Sequence, residues 1–400
     1  MSESLRENFQ QHLPTIGPAD PRYVPELVEA ILSSARKQGV SDVHLLPSEQ
    51  GLEMKWRIDG VLQAIATFPP ELSGNIVSRL KVLAELLTYR TDIPQEGRIS
   101  GTDDNLEMRV STFPTLFGEK GVVRLFVGSG KYRNLKDLGF PPDISESLKR
   151  HLCETGGIIL VTGPAGSGKT TTLYACLREI IGRTAVSRSI ATLEDPIEAV
   201  VSGVSQSQVK PTSGFDYETG LKSLLRQDPE VIMVGEIRDT ISAELVFQAS
   251  LTGHLVLTTF HAGSSSEAVA RLLEMGIEPY QLRSGILCVL NQRLVRRLCE
   301  CSRPGDDPDG RLGLDVDQFK VSVGCEQCSG TGYRDRIVLV EMLTPGRDET
   351  GSAILARSDA AEIERSAVEA GMITRWQRGC DAVNSGKTSP EEVRRVLGFR

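Results

Sequence analysis

"VTGPAGSGKTTTLY", residues 161–174, contains the pattern G-x-x-x-x-G-K-T between an apolar run and an amphipathic pattern. In this strand-loop-helix context, backbone N–H groups surround phosphate oxygens, the lysine neutralises them, and the hydroxyl binds Mg²⁺. The stretch therefore predicts a site for ATP and Mg²⁺, rather than a glycine-rich turn without a ligand. The residues expected to contact the nucleotide are Gly163, Pro164, Ala165, Gly166, Ser167, Gly168, Lys169, Thr170 and Thr171.

The chain around this loop divides by pattern. From residues 135 to 345, short apolar β-like runs alternate with helical patterns, which predicts an α/β fold with a mostly parallel sheet and helices on both faces. Residues 23–127 alternate β-like runs with one long amphipathic segment and predict a small α+β domain. We expect residues 1–22 to be an N-terminal extension, 128–134 to be a linker, and 346–400 to be a helical tail.

Composition narrows the class of protein. The chain has 400 residues, of which 40% are hydrophobic, and a formal net charge of −8. The acidic balance argues against a nucleic acid or an anionic membrane as the main partner, because both attract lysine and arginine. No apolar run approaches the ~20 residues of a membrane span, and the N-terminus does not read as a secretory signal. We therefore expect a cytoplasmic protein that meets a membrane only through its partners.

Carboxylates follow two other β-like runs. Glu194 and Asp195 end the run in "ATLEDPIE", and Glu236 follows the run in "EVIMVGEIRD". In an open parallel sheet, ligands gather at the carboxyl ends of the strands, where the phosphate loop also lies. One carboxylate can hold the magnesium shell while another orients or deprotonates the attacking water. Alternatively, each merely caps the turn that follows it, and this alternative is strongest for Asp195.

Two histidines flank a fourth run, "GHLVLTTFHAG". His254 precedes the strand and His261 follows it, seven residues later. In a regularly extended run this odd separation points the two imidazoles to opposite faces, so they are not expected to touch the same phosphate. His261, at the carboxyl end, is the candidate γ-phosphate sensor. For both residues a purely structural role is the alternative.

In the order phosphate loop, "LEDPIE", "IMVGEIRD" and "TGHLVLTTFHA", the chain resembles the ATPases that drive type II secretion and type IV pilus assembly. The likeness extends from about residue 23 to the end. It includes "SDVHLLP", "RIDGVL", "PQEGRI", "RVSTFPTLFGEK", "LLRQDPE", "EMGIEP", "QRLVRRLC" and "TGYRDR".

The resemblance implies a RecA-like ATPase domain behind a PAS-like domain, assembled as a homo-hexamer at the cytoplasmic face of the inner membrane. There it would move a membrane platform protein and associated assembly proteins. By position, it makes Glu194 the catalytic base and Glu236 the carboxylate on the magnesium side. It also directs Arg109 and Arg124 of the N-terminal domain at the nucleotide phosphates. Their alternative role is to pair with nearby acids on an exposed face.

The sequence departs from the family pattern at two places. Ala262 and Gly263 stand where the family usually has threonine and asparagine, so a hydrogen-bonding pair beside His261 is missing. About 22 residues precede the first β-like run, whereas many assembly members carry a further N-terminal docking domain. Both departures favour an alternative function, a nucleotide-dependent adaptor that does not hydrolyse ATP. Intact Lys169, Glu194 and Glu236 oppose that alternative.

Four cysteines are concentrated in the segment 299–328. They form Cys-x-Cys, 23 intervening residues and Cys-x-x-Cys, a crowding that suits tetrahedral Zn²⁺ with no open position for chemistry. A reduced, metal-free loop is the alternative, and the other four cysteines are expected to be buried thiols. In the family, assembly and secretion motors commonly carry such pairs and retraction motors lack them, which favours the assembly direction. The expected zinc ligands are Cys299, Cys301, Cys325 and Cys328.

Overall fold

The computed structural model describes residues 3–100, 107–125, 132, 134–183 and 188–399. Contacts divide the chain into two units. The first unit contains residues 1–128, 296–304 and 320–336, and the second contains 129–295, 305–319 and 337–400. Of the predicted linker 128–134, only residues 132 and 134 are among those described.

The first unit is built on an antiparallel sheet covered by helices. Its elements up to residue 125 are α1 (Glu3–Gln10), α2 (Tyr23–Lys37), β1 (Asp42–Ser48), β2 (Gly51–Ile58), β3 (Val61–Phe68), α3 (Pro70–Leu83), β4 (Gln95–Ser100), β5 (Glu107–Thr115) and β6 (Gly118–Leu125). The strands are arranged in the order β3-β2-β1-β6-β5-β4, and each neighbouring pair is antiparallel. Alternate residues such as Val43 and Leu45 are buried in one core with side chains from all three helices.

The N-terminal residues belong to this core. In α1, Leu5 and Phe9 are buried, and the Phe9 ring meets Trp56 edge-on at a centroid distance of 5.7 Å. The first strand begins at Asp42, after two helices. Within the expected extension, the described residues 3–22 therefore form a packed helix and turns, because α1 carries two large apolar residues on one face.

The second unit contains the phosphate loop. Along the chain, the remaining elements are α4 (Pro142–His151), β7 (Gly157–Thr162), α5 (Lys169–Arg183), β8 (Ile190–Glu194), β9 (Ser205–Gln208), α6 (Tyr217–Leu224), β10 (Val231–Val234), α7 (Thr240–Leu251), β11 (Leu255–Phe260), α8 (Ser265–Glu274), α9 (Pro279–Gly285), β12 (Ile286–Leu298), β13 (Arg303–Pro304), β14 (Lys320–Val321), β15 (Tyr333–Leu343), α10 (Glu349–Leu355), α11 (Ala360–Glu369), α12 (Arg375–Asn384) and α13 (Pro390–Leu397). The seven-stranded sheet has the order β15-β12-β7-β11-β10-β8-β9, and the strands from β12 to β9 pair in parallel.

This sheet is covered on both faces, as the continuous apolar runs predict. In β7, Ile158 and Leu160 belong to one buried cluster, whereas Ile159 and Val161 belong to another. Helices α10–α13 lie in the segment 346–400 that was expected to be helical. Among the described helices, none combines the length and apolar composition of a membrane span.

The cysteine segments differ from the expected domain boundary. Sequence patterns place residues 299–328 inside the ATPase domain, but contacts group 296–304 and 320–336 with the first unit. Within that unit, Arg336 forms an ion pair of 3.7 Å with Asp59 of the β2–β3 turn. Strands β13 and β14 pair there as a short antiparallel ribbon. The boundary differs because segments 296–304 and 320–336 extend away from the parallel sheet and make their contacts within the first unit.

Candidate nucleotide site and cysteine cluster

The phosphate loop connects β7 to α5. Gly163 has φ 140°, and a Cβ there would lie 2.5 Å from the carbonyl oxygen of Gln292, so the position requires glycine. Pro164, Ala165 and Gly166 are exposed, which leaves the loop open to a ligand. The N-terminus of the 15-residue helix α5 adds partial positive charge and free N–H groups at that opening.

Lys169 is the first residue of α5. Its Nζ donates to the carbonyl oxygens of Gly163 (2.9 Å) and Pro164 (3.1 Å). Burial lowers the pKa of the Lys169 ammonium, and the nearby Glu236 carboxylate opposes this shift. Thr170 and Thr171 are half-buried in the first turn of α5. The lysine and the two hydroxyl residues are thus placed where the motif requires them.

His261 lies between Lys169 and Glu236. Its Nδ1 is 3.5 Å from Lys169 Nζ, and its Nε2 is 2.8 Å from Glu236 Oε1. If the ammonium donates to Nδ1, the ring hydrogen lies on Nε2 and the carboxylate accepts it. The structure therefore brings together the phosphate lysine, the predicted sensor and one predicted carboxylate.

Arg238 links the two carboxylate motifs. Its Nε donates to Glu236 Oε2 at 3.1 Å, and its Nη1 donates to Asp195 Oδ2 at 3.0 Å. The guanidinium also lies 5.6 Å from the ring centroid of Tyr217. Asp195, for which turn capping was the alternative, instead pairs with this arginine.

Glu194 is in a different environment. It is only 2% exposed at the end of β8. Its Oε2 accepts a hydrogen bond from the Tyr174 hydroxyl at 2.5 Å, and its Oε1 accepts from Thr192 (2.6 Å) and Gln206 (3.1 Å). Both oxygens of the predicted base are thus already engaged by neutral donors.

The segment after His261 is held through its backbone. Asn291 Nδ2 donates to the Ala262 carbonyl at 3.2 Å, and Arg293 Nη2 donates to the Gly263 carbonyl at 3.0 Å. The Gly263 N–H donates to Glu267 Oε2 at 2.7 Å. Main-chain contacts therefore order this segment without the side-chain pair that the family usually has.

His254 lies at the opposite end of β11 from His261. Its Nδ1 is 2.9 Å from the Ala249 carbonyl oxygen and 3.2 Å from the Thr252 hydroxyl, both at the end of α7. These contacts describe a structural histidine that joins the helix to the strand. The expectation that the two imidazoles do not share a ligand agrees with this placement.

The two predicted arginines lie in the first unit. Arg109 and Arg124 are directly opposite each other on β5 and β6, and Asp42 is opposite Arg124 on β1. Arg124 Nε donates to Asp42 Oδ1 at 3.0 Å, while its side chain stays 61% exposed. Adjacent cations on one sheet face suit an anion, and the Asp42 pair is the alternative role that the sequence left open.

The four predicted zinc ligands converge. Their sulfur atoms all lie within 4.8 Å of one another, with 3.8 Å between Cys299 and Cys325 and 3.9 Å between Cys301 and Cys328. Tetrahedral zinc with Zn–S bonds of about 2.3 Å separates its sulfurs by about 3.8 Å. The cluster therefore fits Zn²⁺, for which it would supply four sulfur ligands.

The surroundings of Cys328 favour a thiolate. Burial opposes ionisation, but the N–H groups of Cys325 and Gly332 donate to its Sγ at 3.1 and 3.2 Å, and the pKa of the thiol is lowered to about 7.

Of the other four cysteines, Cys153 is exposed, which corrects the expectation that all are buried.

Sequence reasoning missed three residues that organise the site, namely Tyr174, Gln206 and Arg238. Arg238 lies in the motif of Glu236, and a positive charge two residues after that carboxylate was the available signal. Tyr174 occupies an apolar position on α5 and is 2% exposed, which is typical of a core residue. Gln206 belongs to no motif that sequence reasoning singled out, so nothing in its pattern points to Glu194.

Comparisons with known proteins agree with this site. The family model described as "Type II/IV secretion system protein" matches residues 18–395. The chain is 36% identical to the type IV pilus assembly ATPase PilB of Thermus thermophilus over 98% of its length, and 39% identical to the type II secretion system ATPase E of Vibrio cholerae over 98%. It spans 45% of the first relative and 79% of the second.

A solved structure has the same fold. The ATPase DotB of Legionella pneumophila superimposes with a TM-score of 0.68 at 22% identity, covering 94% of this chain and 97% of that one. The predicted α/β fold and the predicted resemblance are both confirmed. With the family model matching almost the whole chain, this protein belongs to the type II/IV secretion system protein family, whose relatives named above are ATPases.

Proposed function

We propose that this protein hydrolyses ATP and uses the cycle to drive assembly of a type II secretion pseudopilus or a type IV pilus. The observation that carries the proposal is the meeting of Lys169, His261 and Glu236 at the carboxyl ends of three neighbouring parallel strands. This edge is where an open α/β sheet binds its ligand. The names of the relatives, which include pilus assembly and type II secretion ATPases, support the assignment to such an assembly system.

Each residue then has a role at the phosphates. Loop N–H groups and Lys169 hold the β- and γ-phosphates, and Thr170 and Glu236 would hold Mg²⁺, which when bound would supply positive charge to the phosphate oxygens. His261 contacts the γ-phosphate when Lys169 moves onto the nucleotide. Glu194 is the base that accepts a proton from the attacking water. Because its oxygens accept three hydrogen bonds, one donor gives way to that water when the site closes.

The motor works as a homo-hexamer on a membrane platform protein at the cytoplasmic face of the inner membrane. Arg109 and Arg124 supply positive charge to the phosphates as the domains move. The cysteine cluster holds structural Zn²⁺ that fixes segments 296–304 and 320–336. Its presence favours a motor for assembly over one for retraction. What supports the ring is family membership, and what supports the role of the arginines is that Arg109 and Arg124 are neighbours on β5 and β6.

The purified chain is tested for Mg²⁺-dependent phosphate release and for nucleotide binding. We expect the wild-type protein to bind and hydrolyse ATP, and Lys169→Ala to bind at least about 10-fold more weakly because the charged phosphate contact is lost. Lys222→Ala is the matched control, since that exposed lysine pairs with Glu218 on α6. Tight binding without turnover by the wild-type hexamer would instead identify a non-hydrolysing adaptor.

A further inference from the structure

The Tyr174 hydroxyl is hydrogen-bonded to three groups. It donates to Glu194 Oε2 at 2.5 Å and accepts from the backbone N–H groups of Glu198 at 3.0 Å and Ala199 at 3.3 Å. Tyr174 stands on α5, five residues after the phosphate lysine. One side chain of the phosphate-loop helix therefore contacts both the predicted base and the loop that follows it.

Gln206 on β9 makes the complementary set of contacts. Its Nε2 donates to Glu194 Oε1 at 3.1 Å and to the Ala199 carbonyl at 3.0 Å. Its Oε1 accepts from the Val201 N–H at 2.7 Å. The loop 195–201 is thus attached to the Glu194 carboxylate from two sides, by two residues that are distant in sequence.

The tyrosine remains a donor over the whole working range of pH. Burial, followed by the hydrogen bond to Glu194, raises the pKa of Tyr174 far above its ordinary value. Because Tyr174 is 2% exposed, water does not replace the bond in this state of the site. The hydroxyl hydrogen is therefore committed to Glu194, and the hydroxyl oxygen to the two amides.

These contacts close a chain of polar interactions that begins and ends on α5. Lys169 contacts His261, His261 contacts Glu236, and Glu236 pairs with Arg238. Arg238 also pairs with Asp195, which follows Glu194, and Glu194 returns to α5 through Tyr174. A phosphate that attracts Lys169 acts at the first contact of this chain, whereas the contacts of Tyr174 lie at its other end and keep the carboxylate loop on the helix.

We infer that Tyr174, with Gln206, is a positioning residue that fixes the loop 195–201 and the Glu194 carboxylate on the helix of the phosphate loop. The kinetic consequence of this inference rests on the proposed hydrolysis of ATP. Its structural consequence is independent of hydrolysis. We place no contact between Tyr174 and the nucleotide. It acts through Glu194 and through the loop that carries Asp195.

Hydrogen exchange of the nucleotide-free chain tests the structural consequence. In Tyr174→Phe the amides of Glu198 and Ala199 lose their acceptor, and we expect both to exchange faster than in the wild type. Thr172→Val is the matched control, because that buried hydroxyl on the same helix bonds Gln292 and no atom of the loop. Unchanged protection of both amides in Tyr174→Phe overturns the inference.

Steady-state kinetics tests the catalytic consequence. We expect Tyr174→Phe to lower kcat about 10- to 100-fold, the range for losing one hydrogen bond to a charged group, with KM for ATP little changed. Thr172→Val should keep kcat close to that of the wild type. Equal losses in the two variants would mean general destabilisation and overturn the inference.

A second variant covers the case in which Tyr174→Phe does not fold. Gln206→Met keeps the side-chain length and removes the other attachment, so it should give faster exchange at Val201 and the same selective loss of kcat. Wild-type exchange and kcat in that variant count against the inference. If the wild-type chain binds ATP without hydrolysing it, the proposed function fails, and the exchange comparison alone decides the role of Tyr174.

Discussion

The Nε2 atom of His261 lies 2.8 Å from Oε1 of Glu236. The two residues follow β11 and β10, which pair in parallel with Val234 opposite Thr258, so the register of the sheet places them side by side. Lys169 contacts the other ring nitrogen at 3.5 Å. A bound phosphate competes with the imidazole for the ammonium. His261 is therefore placed to respond to bound nucleotide through its contact with Lys169, while Glu236 holds its other ring nitrogen.

The role of the histidine can be separated from that of its counterpart at the other end of the strand. We expect His261→Gln to bind ATP but to lose about 10-fold or more in turnover, because one hydrogen bond to a charged group disappears. His254→Gln is the control, since among the described residues the His254 side chain hydrogen-bonds at the end of α7, away from the phosphate loop. Equal activity of the two variants in a phosphate-release assay would refute the sensor role.

Glu194 and Glu236 are distinguished by parallel glutamine substitutions. If Glu194 is the base, Glu194→Gln binds ATP and Mg²⁺ normally and loses about 10²- to 10⁴-fold in turnover. Glu236→Gln should instead weaken Mg²⁺ binding and so raise the Mg²⁺ concentration that gives half-maximal turnover, which is measured by titrating the metal at fixed ATP. Glu218→Gln, on the surface of α6, controls for the loss of one charge. Wild-type turnover by Glu194→Gln removes it from the mechanism.

The cysteine cluster predicts one zinc ion per chain. Metal binding in such sites is folding energy, apparently ~10 to 16 kcal/mol in small peptides. We expect Cys325→Ser to lose the metal, to unfold locally at 296–304 and 320–336, and to form a weaker ring. Cys153→Ser, at an exposed cysteine outside the cluster, should keep the metal. Elemental analysis that finds no zinc in protein purified without chelator contradicts the prediction.

The arginines of the first unit predict a defect in turnover rather than binding. An arginine that meets the phosphate charge only in the closed state contributes about 10³- to 10⁵-fold in P-loop enzymes. We expect Arg124→Ala to bind ATP and hydrolyse it slowly, with a milder effect in Arg109→Ala. Arg22→Ala, an exposed arginine paired with Asp20, is the control.

Mixing inactive variants tests which subunit supplies the arginine. If Arg124 acts within its own subunit, a mixture of Arg124→Ala with Lys169→Ala stays inactive, and this is the result we expect. Partial recovery would mean that the arginine acts across the interface. Normal turnover by Arg124→Ala alone would rule out both arrangements.

The sequence by itself determined the phosphate loop, because every requirement there is local. Gly163 needs an unusual backbone conformation, and Lys169 and Thr170 need only the first turn of the helix that follows. The same holds for the strand ends that carry Glu194, Glu236 and His261, since apolar runs mark the strands. It also indicated the zinc cluster, whose four cysteines form two short pairs.

Only the tertiary structure decided how these pieces meet. Whether Glu194 faces water or the Tyr174 hydroxyl depends on how α5 packs on β8, and whether Glu236 reaches His261 depends on the register of β10 with β11. The same is true of the cysteine segments, which group with the first unit. Contacts between residues far apart in the chain arise from side-chain packing across strands and helices, and no local pattern encodes that packing.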